Sequence, residues 1–211
     1  MIFKEIEKDE YYELLYNKFN KFEKYRIYHS FEWISFIEKS QNLIPKFIKI
    51  VKNDECIGIF PYFEIKVFFL KLFASPFEGW TTGYMGPIVE DIYIEEFFTK
   101  FYKYLKKRYL FGQFSLILNS FQIKCAMDAG FIVEDSITYI APIKGNDEDI
   151  IMNFTRSARK SVRRALNKGL IVERTYDKKF IDIYYDQLIQ VFRKSNMVPT
   201  YSKNRVIQLW D

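Results

Sequence analysis

Short runs of Ile, Val and Phe alternate along this chain with segments of helical periodicity, and that alternation is what most restricts its fold. Strands and helices in alternation give an α/β chain, or an α+β chain with a mixed sheet. "YHSFEWISFIEKS" reads as a helix capped by Ser30, with Trp33, Ile34 and Ile37 on one face. "PKFIKIVKNDECIGIFPYFEIK" reads as a hairpin with the polar turn "KNDE", and "EIKVFFLKLFA" as a third strand. A helix capped by Asp91 follows, with Phe97, Phe98, Phe101 and Leu105 at helical spacing and Gly112 at its exit. "FSLILNS" is a short buried strand, "FQIKCAMDAGF" a helix stopped by Gly130, and "FIVEDSITYIAPI" one or two further strands. The polar "KGNDED" marks a boundary between a domain over 1–145 and another over 146–211, with Asp147 or Asn146 starting the next helix. The second domain reads as a helix over "DIIMNFTRSARKSVRRALNKG", a strand "LIVERT", a helix "DKKFIDIYYDQLIQVFRKSN", and a loop entering a last helix in "MVPTYSKNRVIQLWD".

Composition narrows the functional classes. With 211 residues, 49% of them hydrophobic, the chain is able to bury a core. The 2 Cys, Cys56 and Cys125, have no CxxC partner, which fits reduced thiols in a cytoplasmic protein. "MIFKEIEKDE" is charged from its fourth residue, unlike a signal peptide. The longest apolar run, "VFFLKLFASPF", is interrupted by Lys71 and falls short of the ~20 residues a membrane span needs, so membrane contact is at most peripheral. His29 is the only histidine, which excludes a metal site built on several; a capping or packing role is expected of it. The net charge of +5 is unevenly spread. Residues 150–211 carry 13 Lys and Arg against 5 Asp and Glu, a net +8, and the rest of the chain a net −3. Basic character so localised points to a site.

That site falls in "TRSARKSVRRALNKG". On a helical wheel Arg156, Arg159, Lys160, Arg163, Arg164 and Lys168 occupy about half the circumference, opposite Phe154, Ala158, Val162, Ala165 and Leu166. Six like charges repel one another, and no carboxylate lies between Arg156 and Leu170 to offset them. Arg grips phosphate oxygens with a planar fork. A phosphorylated ligand, a nucleotide or RNA is therefore the expected partner, against a merely solvated face. The spacing does not choose among these anions.

"SPFEGWTTGYMGP" is the other unusual stretch. It gathers Gly79, Gly83 and Gly86 with Pro76 and Pro87, from a chain holding only 8 Gly and 6 Pro. Glycines let the backbone turn sharply or approach a ligand, while Trp80 and Tyr84 supply flat rings with polar tips. Such a loop lines a cleft, or is a tight connection filled by aromatics.

"SPFEGWTTGYMGPIV", in the context of "HSFEWISFIEK" and "ECIGIFPYFEIK", resembles the segment after the first hairpin in GNAT-superfamily proteins of the Fem-type (FemAB-like) branch. "AGFIVEDSITYIAPI", "FTRSARKSVRRALNKGLIVE" and "VPTYSKNRVIQL" resemble later parts of the same family, so the likeness spans nearly the whole chain. It implies a GNAT-like domain followed by the start of a second, the pair sharing one cleft. It also implies transfer of an acyl group to an amine. The family's known members move an amino acid from aminoacyl-tRNA onto a peptidoglycan precursor, or act as acetyltransferases. The donor would be acyl-CoA or aminoacyl-tRNA, with no metal. The acceptor would be a small-molecule or nucleotide-linked amine, such as a cell-wall precursor. Arg159, Lys160 and Arg163 match the family's basic helix and would contact phosphates. The family's second domain normally continues beyond the helix at which this sequence stops, and no RxxGxG-type pyrophosphate loop occurs here.

Acyl transfer needs a base for the amine proton and a place for the developing oxyanion. Glu78 is the carboxylate nearest the glycine-rich loop and is the expected base. Tyr84 is the expected proton donor or relay, and backbone N–H groups near Gly79 and Gly83 the oxyanion holders, with Trp80 lining the site. The alternatives are a non-catalytic module binding RNA or a phosphorylated ligand, and an inactive fragment lacking the rest of its second domain.

Overall fold

In a computed structural model, which describes residues 1–134, 137, 138, 141 and 143–211, the chain divides into two compact units. One comprises Met1–Val133 with Leu188–Asp211, the other Glu134–Gln187.

The first unit is built on a mixed sheet in the order β1-β2-β3-β4-β6. These strands are β1 (Ile2–Ile6), β2 (Pro45–Lys52), β3 (Glu55–Val67), β4 (Leu70–Ser75) and β6 (Phe111–Phe114). All neighbours are antiparallel except β4 and β6, which run parallel. The short β5 (Ile88–Val89) also pairs with β3. The β2–β3 turn forms as expected, with Asn53 and Asp54 both at positive φ, the conformation that twists a two-residue hairpin correctly.

Alternation along the strands supplies two apolar faces. Ile48, Ile50, Phe60, Tyr62 and Phe73 pack against α3 (Ile94–Lys106) and α4 (Ser120–Ala129). Phe47, Ile59 and Phe63 pack against α1 (Lys8–Asn17) and α2 (Phe31–Gln41). The aromatic wealth of the chain is spent largely here: Phe97, Phe98 and Phe101 are buried under one face, Tyr11 and Phe19 under the other. The last helix, α8 (Lys203–Trp210), belongs to this unit, with Gln208 donating to the Lys39 carbonyl of α2.

Local signals and structure agree at several caps. Ser30 Oγ accepts from the Trp33 amide, and Gly130 ends α4 in the left-handed region at φ 105°. Asn146 caps α5 (Asp147–Met152) in a reciprocal pair with Asp149. Elsewhere the expectations are corrected. Asp91 does not cap α3; its carboxylate accepts from Lys24 and, at 2.7 Å, from Gln122 Nε2. Gly112 lies inside β6, and the strand expected over "FSLILNS" is displaced toward the N-terminus, to Phe111–Phe114. β1 and α1 occupy residues 2–17, a stretch whose charge announces neither element.

In the second unit the single helix expected over 149–169 is two. α5 stops at Met152 and α6 (Arg156–Asn167) begins after Thr155, whose hydroxyl accepts from the Ala158 amide at 3.3 Å. α7 (Lys179–Arg193) follows, and the division between units falls inside it. The strand expected at Leu170–Thr175 pairs with no described residue, and Val172 is 99% exposed. The strands expected in "FIVEDSITYIAPI" fall partly on residues 135, 136, 139, 140 and 142, outside the described set. The described residues of that stretch are neither helix nor strand.

Candidate functional site

β4 and β5 pair with different lengths of the same edge of β3. β4 occupies Phe63–Val67 and β5 occupies Gly58–Ile59, so the ladder is open at Phe60–Tyr62. The loop over 76–87 leaves β4 and returns to β5 across this opening. Ser75 Oγ fills it, lying 2.5 Å from the Pro61 carbonyl and 2.6 Å from that of Met85. The Pro61 carbonyl therefore points away from β2. A strand residue's N–H and C=O share a side, so the N–H that proline lacks falls where no ladder bond is required. The Ser75–Pro76 peptide is cis.

His29 anchors the far end of the loop. It is buried, and its Nε2 lies 2.9 Å from the Gly86 carbonyl while Nδ1 lies 3.1 Å from the Arg26 amide. Nδ1 is also 3.1 Å from the Arg26 carbonyl; in the neutral ring that burial favours, Nε2–H donates to Gly86 and Nδ1 accepts from the Arg26 amide. Burial holds its pKa below the ordinary value, outweighing the bonds to the Gly86 and Arg26 backbone that favour the charged ring. The packing role expected of His29 is thus a specific one: it ties the turn preceding α2 to the loop. Gly86 is needed at that point because a Cβ there would lie 2.7 Å from the Ser115 carbonyl, which accepts the Gly86 amide.

The middle of the loop is held from two sides. Trp33 Nε1 donates to Thr82 Oγ1 at 3.1 Å, and Thr82 in turn donates to the Trp80 carbonyl at 3.2 Å. Arg205 of α8 donates to the carbonyls of Gly79 and Trp80. The indole of Trp80 is buried edge-on against Phe63 and Phe77, each 5.2 Å away. Its ring serves the core. Gly83 lies against the Tyr28 ring. Gly79, at φ 82°, has nothing within 4 Å of where a Cβ would stand, so its backbone is open to approach. Glu78 is exposed on the same turn and Tyr84 is half-buried further along. Glu78, Gly79 and Trp80 are thus neighbours on one tight turn, whereas Gly83 and Tyr84 belong to its return.

The basic helix carries the remaining candidates. Arg159 folds back along its own unit, donating to the carbonyls of Met152 at 2.9 Å and Phe154 at 2.7 Å. Its fork therefore closes the α5 C-terminus. Arg156, Lys160, Arg163, Arg164 and Lys168 are exposed; of the expected packing face only Ala158, Val162 and Ala165 are half-buried, while Phe154 and Leu166 are exposed. A polar cluster that the sequence did not suggest lies beside the sheet. Tyr109 Oη is 3.1 Å from Tyr62 Oη and 3.2 Å from Glu64 Oε2, and Lys46 pairs with Glu64 at 3.4 Å. Burial raises the pKa of both tyrosines, holding them as neutral phenols. Among the described residues no group of three or more His, Cys, Asp or Glu converges as metal ligands. No described helix is long and apolar enough to cross a membrane.

A mixed sheet opened along one strand, with helices on both faces, makes this a mixed α/β fold. Comparison with solved structures is more particular. The fold is similar to that of FemX, with a TM-score of 0.63 over 100% of this chain at 18% sequence identity. The chain spans 54% of the length of that FemX chain. No family model matches the sequence, and no curated protein does.

Proposed function

We propose that the protein is an N-acyltransferase of the Fem type, moving an aminoacyl group from aminoacyl-tRNA onto an amine. The acceptor is a small or nucleotide-linked molecule such as a cell-wall precursor. The observation that carries this reading is the Fem-like fold over the full length of the chain. The carboxylate-free cationic face of α6 supports an anionic donor, with Lys160 and Arg163 at its exposed centre. Arg159, already bonded to two carbonyls, positions α6 behind them.

In this reaction the acceptor nitrogen attacks the ester carbonyl of the donor and loses its proton to Glu78. The carbonyl oxygen becomes an oxyanion, met by backbone N–H groups beside the open Gly79. As the C–O bond breaks, the departing ribose oxygen takes a proton from Tyr84, which regains one through solvent. Trp80 shapes the turn from within the core.

The test is transfer of a labelled amino acid from charged tRNA to a panel of amine acceptors, with acyl-CoA as the competing donor. Loss of transfer in both Glu78→Gln and Tyr84→Phe supports the assignment; undiminished transfer in both removes these roles. A second reading, a non-catalytic RNA- or phosphate-binding module, is favoured by the use of Trp80 and Gly83 in packing. Tight tRNA binding without transfer to any acceptor would select it.

A further inference from the structure

The β3–β4 hairpin closes on two residues, Phe68 and Phe69, between the paired Val67 and Leu70. Phe68 has φ 55°, which a glycine at the first central position of such a turn adopts freely and a bulky residue adopts at a cost. Both rings project into solvent, Phe68 95% and Phe69 90% exposed. The turn thus bears a conformational and a hydration cost with no packing in return. Isolated exposed apolar residues are ordinary, but Leu110 and Phe111 are exposed at the same end of the sheet, where the Leu110 amide donates to the Lys71 carbonyl.

Cations surround this tip. A hollow of about 330 Å³ beside Phe69 is lined by Lys71, Lys106, Lys107 and Arg108, and no carboxylate lines it. Lys66, which pairs across the hairpin with Lys71, is exposed as well, with Glu64 3.9 Å from its Nζ. The guanidinium of Arg108 stacks 3.9 Å from the Tyr104 ring centre. A convex apolar wedge ringed by Lys and Arg is complementary to an interface with hydrocarbon beneath and negative charge above.

We propose that this end of the sheet docks on an anionic lipid surface, with Phe68 and Phe69 entering the headgroup layer and the surrounding cations meeting lipid phosphates. The occupant follows from charge complementarity together with the exposure of both rings at the tip of the turn. The proposal goes beyond acyl transfer and does not depend on it.

The test is co-sedimentation of the full chain with vesicles of phosphatidylglycerol and phosphatidylcholine, against phosphatidylcholine alone. Phe68→Gly with Phe69→Ser places favoured turn residues at the tip, so the fold is retained while the wedge is removed. Binding should require the anionic lipid, weaken in about 0.5 M salt, and fall by about tenfold or more in that variant. Lys106→Glu with Lys107→Glu, which leaves the hairpin's own residues unchanged, should abolish the preference for anionic lipid. No binding to anionic vesicles, equal binding to neutral ones, or binding unchanged in the turn variant overturns the proposal. Self-association lost in the turn variant, without vesicle binding, overturns it in favour of a second copy of the chain.

Discussion

Lowering the pH should destabilise the first unit through one identifiable group. His29 is the only histidine, so no other imidazole titrates between about pH 5 and 7.5. In the folded chain its ring is neutral, buried and bonded at both nitrogens, and its pKa lies below the ordinary 6.5. The unfolded chain therefore binds the proton more readily. Stability is fully present above about pH 6.5 and is lost as the pH falls toward the depressed folded value. The slope cannot exceed one proton, about 1.4 kcal/mol per pH unit. His29→Phe removes that slope. It also strands the Gly86 carbonyl and the Arg26 amide, which should cost about 2–4 kcal/mol at neutral pH. Urea unfolding followed by the fluorescence of Trp33, Trp80 and Trp210 at about pH 7.5, 6.5 and 5.5 separates the two effects. A wild-type protein whose midpoint is unchanged across that range would refute the neutral-ring assignment. So would a His29→Phe variant with the same pH slope.

Other perturbations reach different parts of the loop and the basic helix. Ser75→Ala leaves the Pro61 and Met85 carbonyls without their hydroxyl; it should lower stability by about 1–3 kcal/mol, read as a shifted urea midpoint at unchanged slope. Arg205→Ala releases the Gly79 and Trp80 carbonyls from α8. It should cost about 1–2 kcal/mol and speed limited proteolysis near Glu78. Arg159→Ala opens the α5–α6 corner, so hydrogen exchange at Met152–Thr155 should accelerate, whereas Arg163→Ala should leave it unchanged.

Much of the first unit is legible because its signals are local. Ser30, Asn146 and Gly130 announce helix ends through side-chain oxygens or a missing Cβ, and the Asn53–Asp54 turn announces its hairpin. Phe97, Phe98, Phe101 and Leu105 announce the buried face of α3. What was not legible depends on distant partners. Asp91 looks like a cap until Gln122 and Lys24 arrive from other elements to claim its carboxylate. Leu170–Thr175 has strand composition, but a strand also needs a neighbour, which composition does not supply. The break between α5 and α6 turns on Arg159 reaching back five and seven residues, beyond any periodicity. In the candidate site the glycines and Trp80 were conspicuous. The groups that hold the loop, Ser75, His29 and Arg205, were not, since each acts on a backbone carbonyl far away in sequence. Trp80 carries the same lesson in reverse, its conspicuous ring being turned into the core.

The central claim, that the cationic face of α6 receives the phosphates of the acyl donor, is tested most directly by the salt dependence of tRNA binding. Three to five phosphate contacts predict that log K falls against log salt with a slope of about −2 to −4. Lys160→Ala with Arg163→Ala and Arg164→Ala should flatten that slope by about 2. A slope near zero in the wild type, or one that the triple variant leaves unchanged, would contradict it.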